Sequence, residues 1–279
     1  MDVEARLHEA LALGDEGRWQ EMAEVLVRAL RDEPDDPYLL GWLGVAEREL
    51  GNDGAAYDYF KRCVAEEPVD PMLLALAGAG LAAFDDPDAE PTLRAAALTG
   101  PELAITRLHY GAYLAREGMF GEALEQLQLA AQIEPDDPVV HGELGIAHAL
   151  KGDYNSAIDA MEHALTLAAD DSWTRLLLGL IYAETGHAEA AAETLLRAAA
   201  ERAEDAEAQL LAALAAAAVG WEQTAEEALA RGEYAEEGGD AALLEEVGER
   251  LAQGPAAAAA FLHETLGPSV LHERLTQPL

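Results

Sequence analysis

Apolar and polar positions alternate along this chain with the spacing of paired helices, and the pairing repeats. A large residue followed by a small one stands at Leu43-Gly44, Tyr110-Gly111, Leu144-Gly145 and Leu178-Gly179, in each case eight residues before a further glycine. Five residues after that glycine come Met22, Ala56, Ala123, Ala157, Ala191 and Ala225, and seven further on Ala29, Cys63, Ala130, Ala164 and Ala198. Small side chains at these places let helix backbones approach, and Leu26, Phe60, Leu127, Met161 and Leu195 fill the gaps between them. The spacing predicts helices throughout and no strand.

The glycines set the period. Gly17, Gly51, Gly118, Gly152, Gly186, Gly220 and Gly254 are separated by 34, 67, 34, 34, 34 and 34 residues. The step of 67 is two periods less one residue, so one unit lacks its glycine, near Asp85, and one position of length. A tight turn between two helices places its C′ residue at positive φ, where glycine alone is unstrained. A second series keeps step with the first. Pro34, Pro68 and Pro135 close units, while Asp36-Pro37, Asp70-Pro71 and Asp137-Pro138 open the next. Asp accepts from the free N–H groups of a starting helix, and Pro has no donor to leave unpaired at the first helical position. The acidic pairs Asp35-Asp36, Asp136-Asp137 and Asp170-Asp171 therefore read as caps rather than metal ligands.

Length and composition agree with a stack. At 279 residues the chain exceeds the usual single core, and hydrophobic residues make up 51% of it while aromatics make up only 6%. Such Ala-rich material suits helix-on-helix contact. The net charge of −37, from 54 acidic against 17 basic residues, repels phosphates and anionic lipid, which disfavours nucleic acid and membrane partners. It also keeps an elongated surface soluble and favours a basic flank on any protein partner. Met1-Asp2-Val3-Glu4 does not open a secretory signal, and no uncharged apolar stretch reaches the ~20 residues that cross a bilayer, so a soluble, cytoplasmic protein is expected.

Candidate chemistry is thin. Cys63 stands where its counterparts are Ala, which predicts a buried, inert thiol. His141 and His148 share one predicted helix and His163 lies on its partner with Glu143 nearby, yet no i,i+4 histidine pair or HExxH spacing occurs. Phosphate loops, nucleophile elbows and dinucleotide fingerprints are missing, and the carboxylates spread over solvated faces. A non-enzymatic protein without metal or cofactor is expected.

The recurrence of Gly111, Gly118, Phe120, Ala123, Ala130 and Pro135, and then of Leu144, Gly145, Gly152, Tyr154, Ala157 and Ala164, resembles the tetratricopeptide repeat. Units fall at 3–36, 37–70, 71–103, 104–137, 138–171, 172–205 and 206–239, with a degenerate eighth starting at 240 and reaching 271. The resemblance implies an all-α, right-handed α-solenoid of about seven to eight helical hairpins over 3–253. The rest, 254–279, is expected to cap it, as a helix from Pro255 to about Gly267 and a short piece with Val270, Leu271 and Leu275 inward. Trp19 and Trp221 are expected in the core and Trp42 between repeats.

In the resembled family, ligands lie on the first helix of each unit, at its second, fifth and ninth places. Here those places hold Tyr38, Gly41 and Val45; Met72, Ala75 and Ala79; Ile105, Leu108 and Ala112; Val139, Gly142 and Ile146; Trp173, Leu176 and Leu180; and Leu210 and Leu214. The Lys, Arg and Asn set with which some members grip a C-terminal carboxylate does not occur there. The apolar lining instead implies a scaffold or adaptor that takes a hydrophobic helical or extended partner segment, with Gly41, Ala75, Ala79 and Gly142 leaving room. Three alternatives stand beside it: self-assembly into a homo-oligomeric scaffold, a holdase-like chaperone for a secretion or assembly pathway, and a face already covered by neighbouring helices, the tail or a second copy.

Overall fold

A computed structural model describes residues 3–235 and 240–277; the predicted unit boundary at 239 and the tail's last two positions lie outside them. The chain divides into two compact units, through Pro135 and from Asp136 to Gln277. Unit 1 contains four hairpins: α1 (Val3–Asp15) with α2 (Trp19–Leu30), α3 (Pro37–Glu49) with α4 (Asp53–Ala65), α5 (Pro71–Ala82) with α6 (Ala89–Thr99), and α7 (Ala104–Arg116) with α8 (Phe120–Ile133). Unit 2 contains α9 (Pro138–Leu150) with α10 (Tyr154–Leu167), α11 (Ser172–Glu184) with α12 (Ala188–Glu201), and α13 (Ala206–Ala218) with α14 (Glu222–Tyr234). It continues through α15 (Ala241–Gln253), α16 (Pro255–Phe261), a π-helical turn at Leu262–Leu266, and α17 (Gly267–Thr276). No β-strand occurs among the described residues, and the repeated all-α hairpin architecture is the one the periodicity predicts.

The punctuation works as its chemistry requires. Asp36 accepts from the N–H groups of Tyr38 and Leu39 at 2.9 and 3.0 Å, Asp70 from Leu73 at 3.0 Å and Asp137 from Val139 at 2.8 Å. Asp171 caps α11 in the same way, with Ser172 in the place of the proline. All seven periodic glycines have positive φ, and Asp85, at the turn that lacks one, takes the same left-handed conformation with φ 52°. Asp is among the few residues that tolerate that region.

Within each hairpin the small residue of the first helix receives the large one of the second. A Cβ on Gly145 would approach Met161 to 2.5 Å, and one on Gly179 would approach Leu195 to 2.7 Å. Phe60 serves two hairpins, because its ring also fills the space over Gly80 of the next. In unit 1 the second helices α2, α4 and α6 pack on the first helices that follow them, and α3, α5 and α7 lie side by side. Trp19 and Trp42 pack against the buried cluster around Leu26 and Leu43, and Trp221 against that of unit 2.

Candidate functional site

The three family places behave differently from one another. At the second place the side chains reach solvent: Tyr38 is 40% exposed, Met72 43% and Val139 47%, with Ile105 and Trp173 half-buried. At the fifth and ninth places they are core. Leu108 and Ile146 are buried, and Leu176, Leu180, Leu210 and Leu214 have at most 1% of their surface accessible. Val45 is half-buried against the cluster around Phe60. The expectation that all of these line an open groove is therefore corrected: a helix in a stack has neighbours on both sides, and the side chains at the fifth and ninth places point at them. The room expected over Gly41 is taken by Leu73, whose Cδ1 would lie 2.4 Å from an added Cβ. Ala75 and Ala79 are buried as well.

In unit 1 the row consists of the exposed Tyr38 and Met72 and the half-buried Ile105, one from each of three adjacent first helices. The Tyr38 hydroxyl donates to Asp70 at 3.1 Å, which ties α3 to the cap of α5. That bond and burial push the phenol's pKa up, burial being the larger cause, so the row is a neutral apolar strip between acidic caps.

In unit 2 the face of α11 and α13 is covered by the chain itself, while Val139 on α9 stays exposed. α15 packs on α13 and α14 at that end of the stack and leaves a cleft of about 450 Å³ between itself and them. α16 then packs on α13, the π-helical turn touches α13 and α11, and α17 lies on α11 and reaches α9. The segment runs antiparallel to α11: His263 Nδ1 lies 3.9 Å from Glu184 at the C-terminal end of α11, whereas Arg274 sits over the ring of Trp173 near its start, at 5.2 Å. Val270, Leu271 and Leu275 are buried, as are Ala258, Phe261 and Leu262. Arg274 Nη2 donates to Glu207 at 2.6 Å, and Asp205 lies at 4.0 Å.

The description "tetratricopeptide repeat" is that of a family model matching residues 149–215, which span α10, α11, α12 and most of α13. Those residues match a tetratricopeptide repeat, and the helical hairpins of the chain have the tetratricopeptide fold. Its fold is similar to that of the Cut9–Hcn1 hetero-tetramer of the APC/C, with TM-score 0.71 and 19% identity over 87% of this chain and 48% of that one, so it spans about half that chain's length. It is similar to PilW, a widely conserved type IV pilus biogenesis factor, with TM-score 0.61 and 20% identity over 71% of this chain and 92% of that. TTC0263, a thermophilic tetratricopeptide protein of Thermus thermophilus, matches with TM-score 0.51 and 26% identity over 62% of this chain and 95% of that. No curated protein matches.

The remaining polar groups serve structure. Cys63 is buried, donates to the carbonyl of Pro37, and has its thiol pushed up to about 12 by burial and by Asp36, so it stays protonated. The rings of His141 and His163 meet edge to face at 4.3 Å, and His148 Nδ1 lies 3.4 Å from Asp153. Among the described residues no cluster of three or more His, Cys, Asp or Glu could hold a metal ion, and no helix is long and apolar enough to cross a membrane. Arg175, buried in α11, pairs with Glu201 and donates to the Ala169 carbonyl. Arg274, Glu207 and Trp173 set a charged contact into the covered face. The sequence signal for it was slight: a basic residue inside the apolar stripe of Val270, Leu271 and Leu275.

Proposed function

We propose that this protein is a non-enzymatic interaction scaffold whose unit 1 holds an apolar segment of a partner protein along Tyr38, Met72 and Ile105. The observation that carries the reading is this row of accessible apolar side chains, repeated at the same place of three packed helices in a chain of net charge −37. Scattered apolar residues on a surface need no explanation, but a row in register with the repeat offers a partner equally spaced contacts. Each side chain covered there contributes about 25 cal/mol per Å² of apolar area. The acidic caps Asp36 and Asp70 beside the row favour a segment with basic flanks.

Met72→Glu tests the reading. Met72 is exposed, so the charge stays in water and the helical circular dichroism is unchanged, while a protein captured by the native chain from lysate is lost. Capture that survives Met72→Glu and Tyr38→Asp together would remove the row as the binding surface. Ile146→Glu and Leu176→Glu are unsuited to this purpose, since both would bury a carboxylate. Two further outcomes separate the alternatives. A mass that rises with concentration, and falls to the monomer's with Met72→Glu, would place a second copy on the row. Suppressed aggregation of unfolded clients, lost with the same variant, would mark a holdase.

A further inference from the structure

We propose that residues 255–277 are a detachable ligand held in cis, and that the face beneath them, on α11 and α13, takes in trans an amphipathic helix of a partner with the same chemistry. That chemistry is an apolar stripe with one arginine set into it, as in Val270-Leu271-His272-Glu273-Arg274-Leu275. The inference rests on reading the first helices of these repeats as the binding face, but it concerns unit 2, and the Met72→Glu experiment can fail while it stands.

Four observations support it. A solenoid end needs its last apolar face covered, and α15 and α16 share that task by packing on α13, with α15 also touching α14. α17 is not needed there; it runs back along α11 to α9, over first helices of the kind whose second places in unit 1 carry the exposed Tyr38 and Met72. The route depends on one special turn. Pro268 has no N–H, and the chain passes it through a π-helical turn in which Gly267 N–H donates to the Leu262 carbonyl. A Cβ on Gly267 would sit 2.4 Å from that oxygen, so glycine is required for α17 to reach α11 at all.

The fit is also incomplete. A cleft of about 300 Å³ remains between the segment and the C-terminal ends of α11 and α13, walled by Ala183, Ala215, Ala259 and Leu262. Small residues on the segment leave that volume unfilled, and a helix with a larger apolar residue at the place of Ala259 would gain contacts that the cis segment lacks. Finally, the face selects charge. Arg274 meets Glu207, Asp205 and the Trp173 ring, yet its Nε is buried without a hydrogen-bond partner. The receptor side is thus built for a guanidinium, and the resident one uses it imperfectly.

The test uses the full chain and a fluorescent synthetic peptide of residues 255–277, followed by anisotropy. Gly267→Ala and Leu271→Asp each loosen the cis segment without altering α11 or α13. Both are expected to bind the peptide at least tenfold more tightly than the native chain does. A peptide carrying Arg274→Glu should lose at least tenfold, and one carrying Ala259→Leu should gain. No gain in either folded variant overturns the proposal, as does a doubled mass by light scattering, which would show exchange of the segment between two copies. If both variants lose their helical signal, hydrogen exchange on the native chain decides. Amides of α17 opening before those of α11 and α13 support a detachable segment, and simultaneous opening overturns it.

Discussion

Phe60 and Gly80 make a pair whose coupling can be worked out from the packing. Phe60 is fully buried, and a Cβ added to Gly80 would lie 2.3, 2.4 and 2.6 Å from three atoms of its ring. The ring is held from the other side by Gly44, where an added Cβ would come within 2.7 Å, so it has nowhere to retreat. Gly80→Ala therefore forces overpacking that costs about 2–4 kcal/mol, against a helix-propensity gain of about 1 kcal/mol, for a net loss of about 1–3 kcal/mol. Phe60→Leu, which installs the residue type found at the matching places 127 and 195, costs about 1–2 kcal/mol by itself. In the Phe60→Leu background the clash is gone. Gly80→Ala then changes sign and stabilises by up to about 1 kcal/mol. Urea unfolding of the four proteins, followed by far-ultraviolet circular dichroism, should give a coupling energy of about 2–4 kcal/mol. Additive effects would refute the account of α3, α4 and α5 as locked through one ring, and with it the fixed spacing of Tyr38 and Met72 on which the binding row depends.

Two further outcomes are expected. Asp85→Gly should raise the urea midpoint of unit 1 by an amount equivalent to about 0.5–1 kcal/mol, because it relieves a left-handed conformation at the turn that lacks the periodic glycine, and an unchanged or lowered midpoint would count against that strain. His109 is pushed down to about 4 by burial and, secondarily, by Arg48, and its Nδ1 has no hydrogen-bond partner. Its folded pKa thus lies below the unfolded value near 6.5, the unfolded chain binds the proton more readily, and stability is full above about pH 6.5 and declines as pH falls toward 4. The difference in unfolding free energy between the native protein and His109→Gln should shift by at most about 3 kcal/mol over that interval, and a pH-independent difference would contradict it.

The repeat was legible because its signals are local. A turn glycine and an Asp-Pro cap act on the backbone within four residues, so Gly152 or Asp137 has its effect whatever surrounds it, and even Asp85 betrays its turn by its place in the period. What the sequence did not reveal depends on neighbours. Gly41 reads as a vacancy until Leu73 is seen filling it, and Leu210 reads as lining until its Cδ2 is seen 3.4 Å from the Cβ place of Gly232 on α14. Val270, Leu271 and Leu275 announce an inward stripe but carry no address for the surface they meet. The division between the units shows the limit most directly. The pentapeptide Glu-Pro-Asp-Asp-Pro occurs at 33–37, inside unit 1, and again at 134–138, where the chain divides. Identical punctuation starts a helix in both places, and it carries no mark that distinguishes a boundary within a unit from one between units.

The return of α17 to α11 has a consequence for biosynthesis. Roughly 80 residues separate the end of α11 from the start of the helix that shields it. At translation rates of about 5–20 residues per second, that surface waits on the order of 4–16 s in water after α11 has been made. Trp173, over whose ring Arg274 comes to lie, is thus among the last side chains of its unit to be covered, and the interval is a natural opening for other molecules in the cell to reach it first.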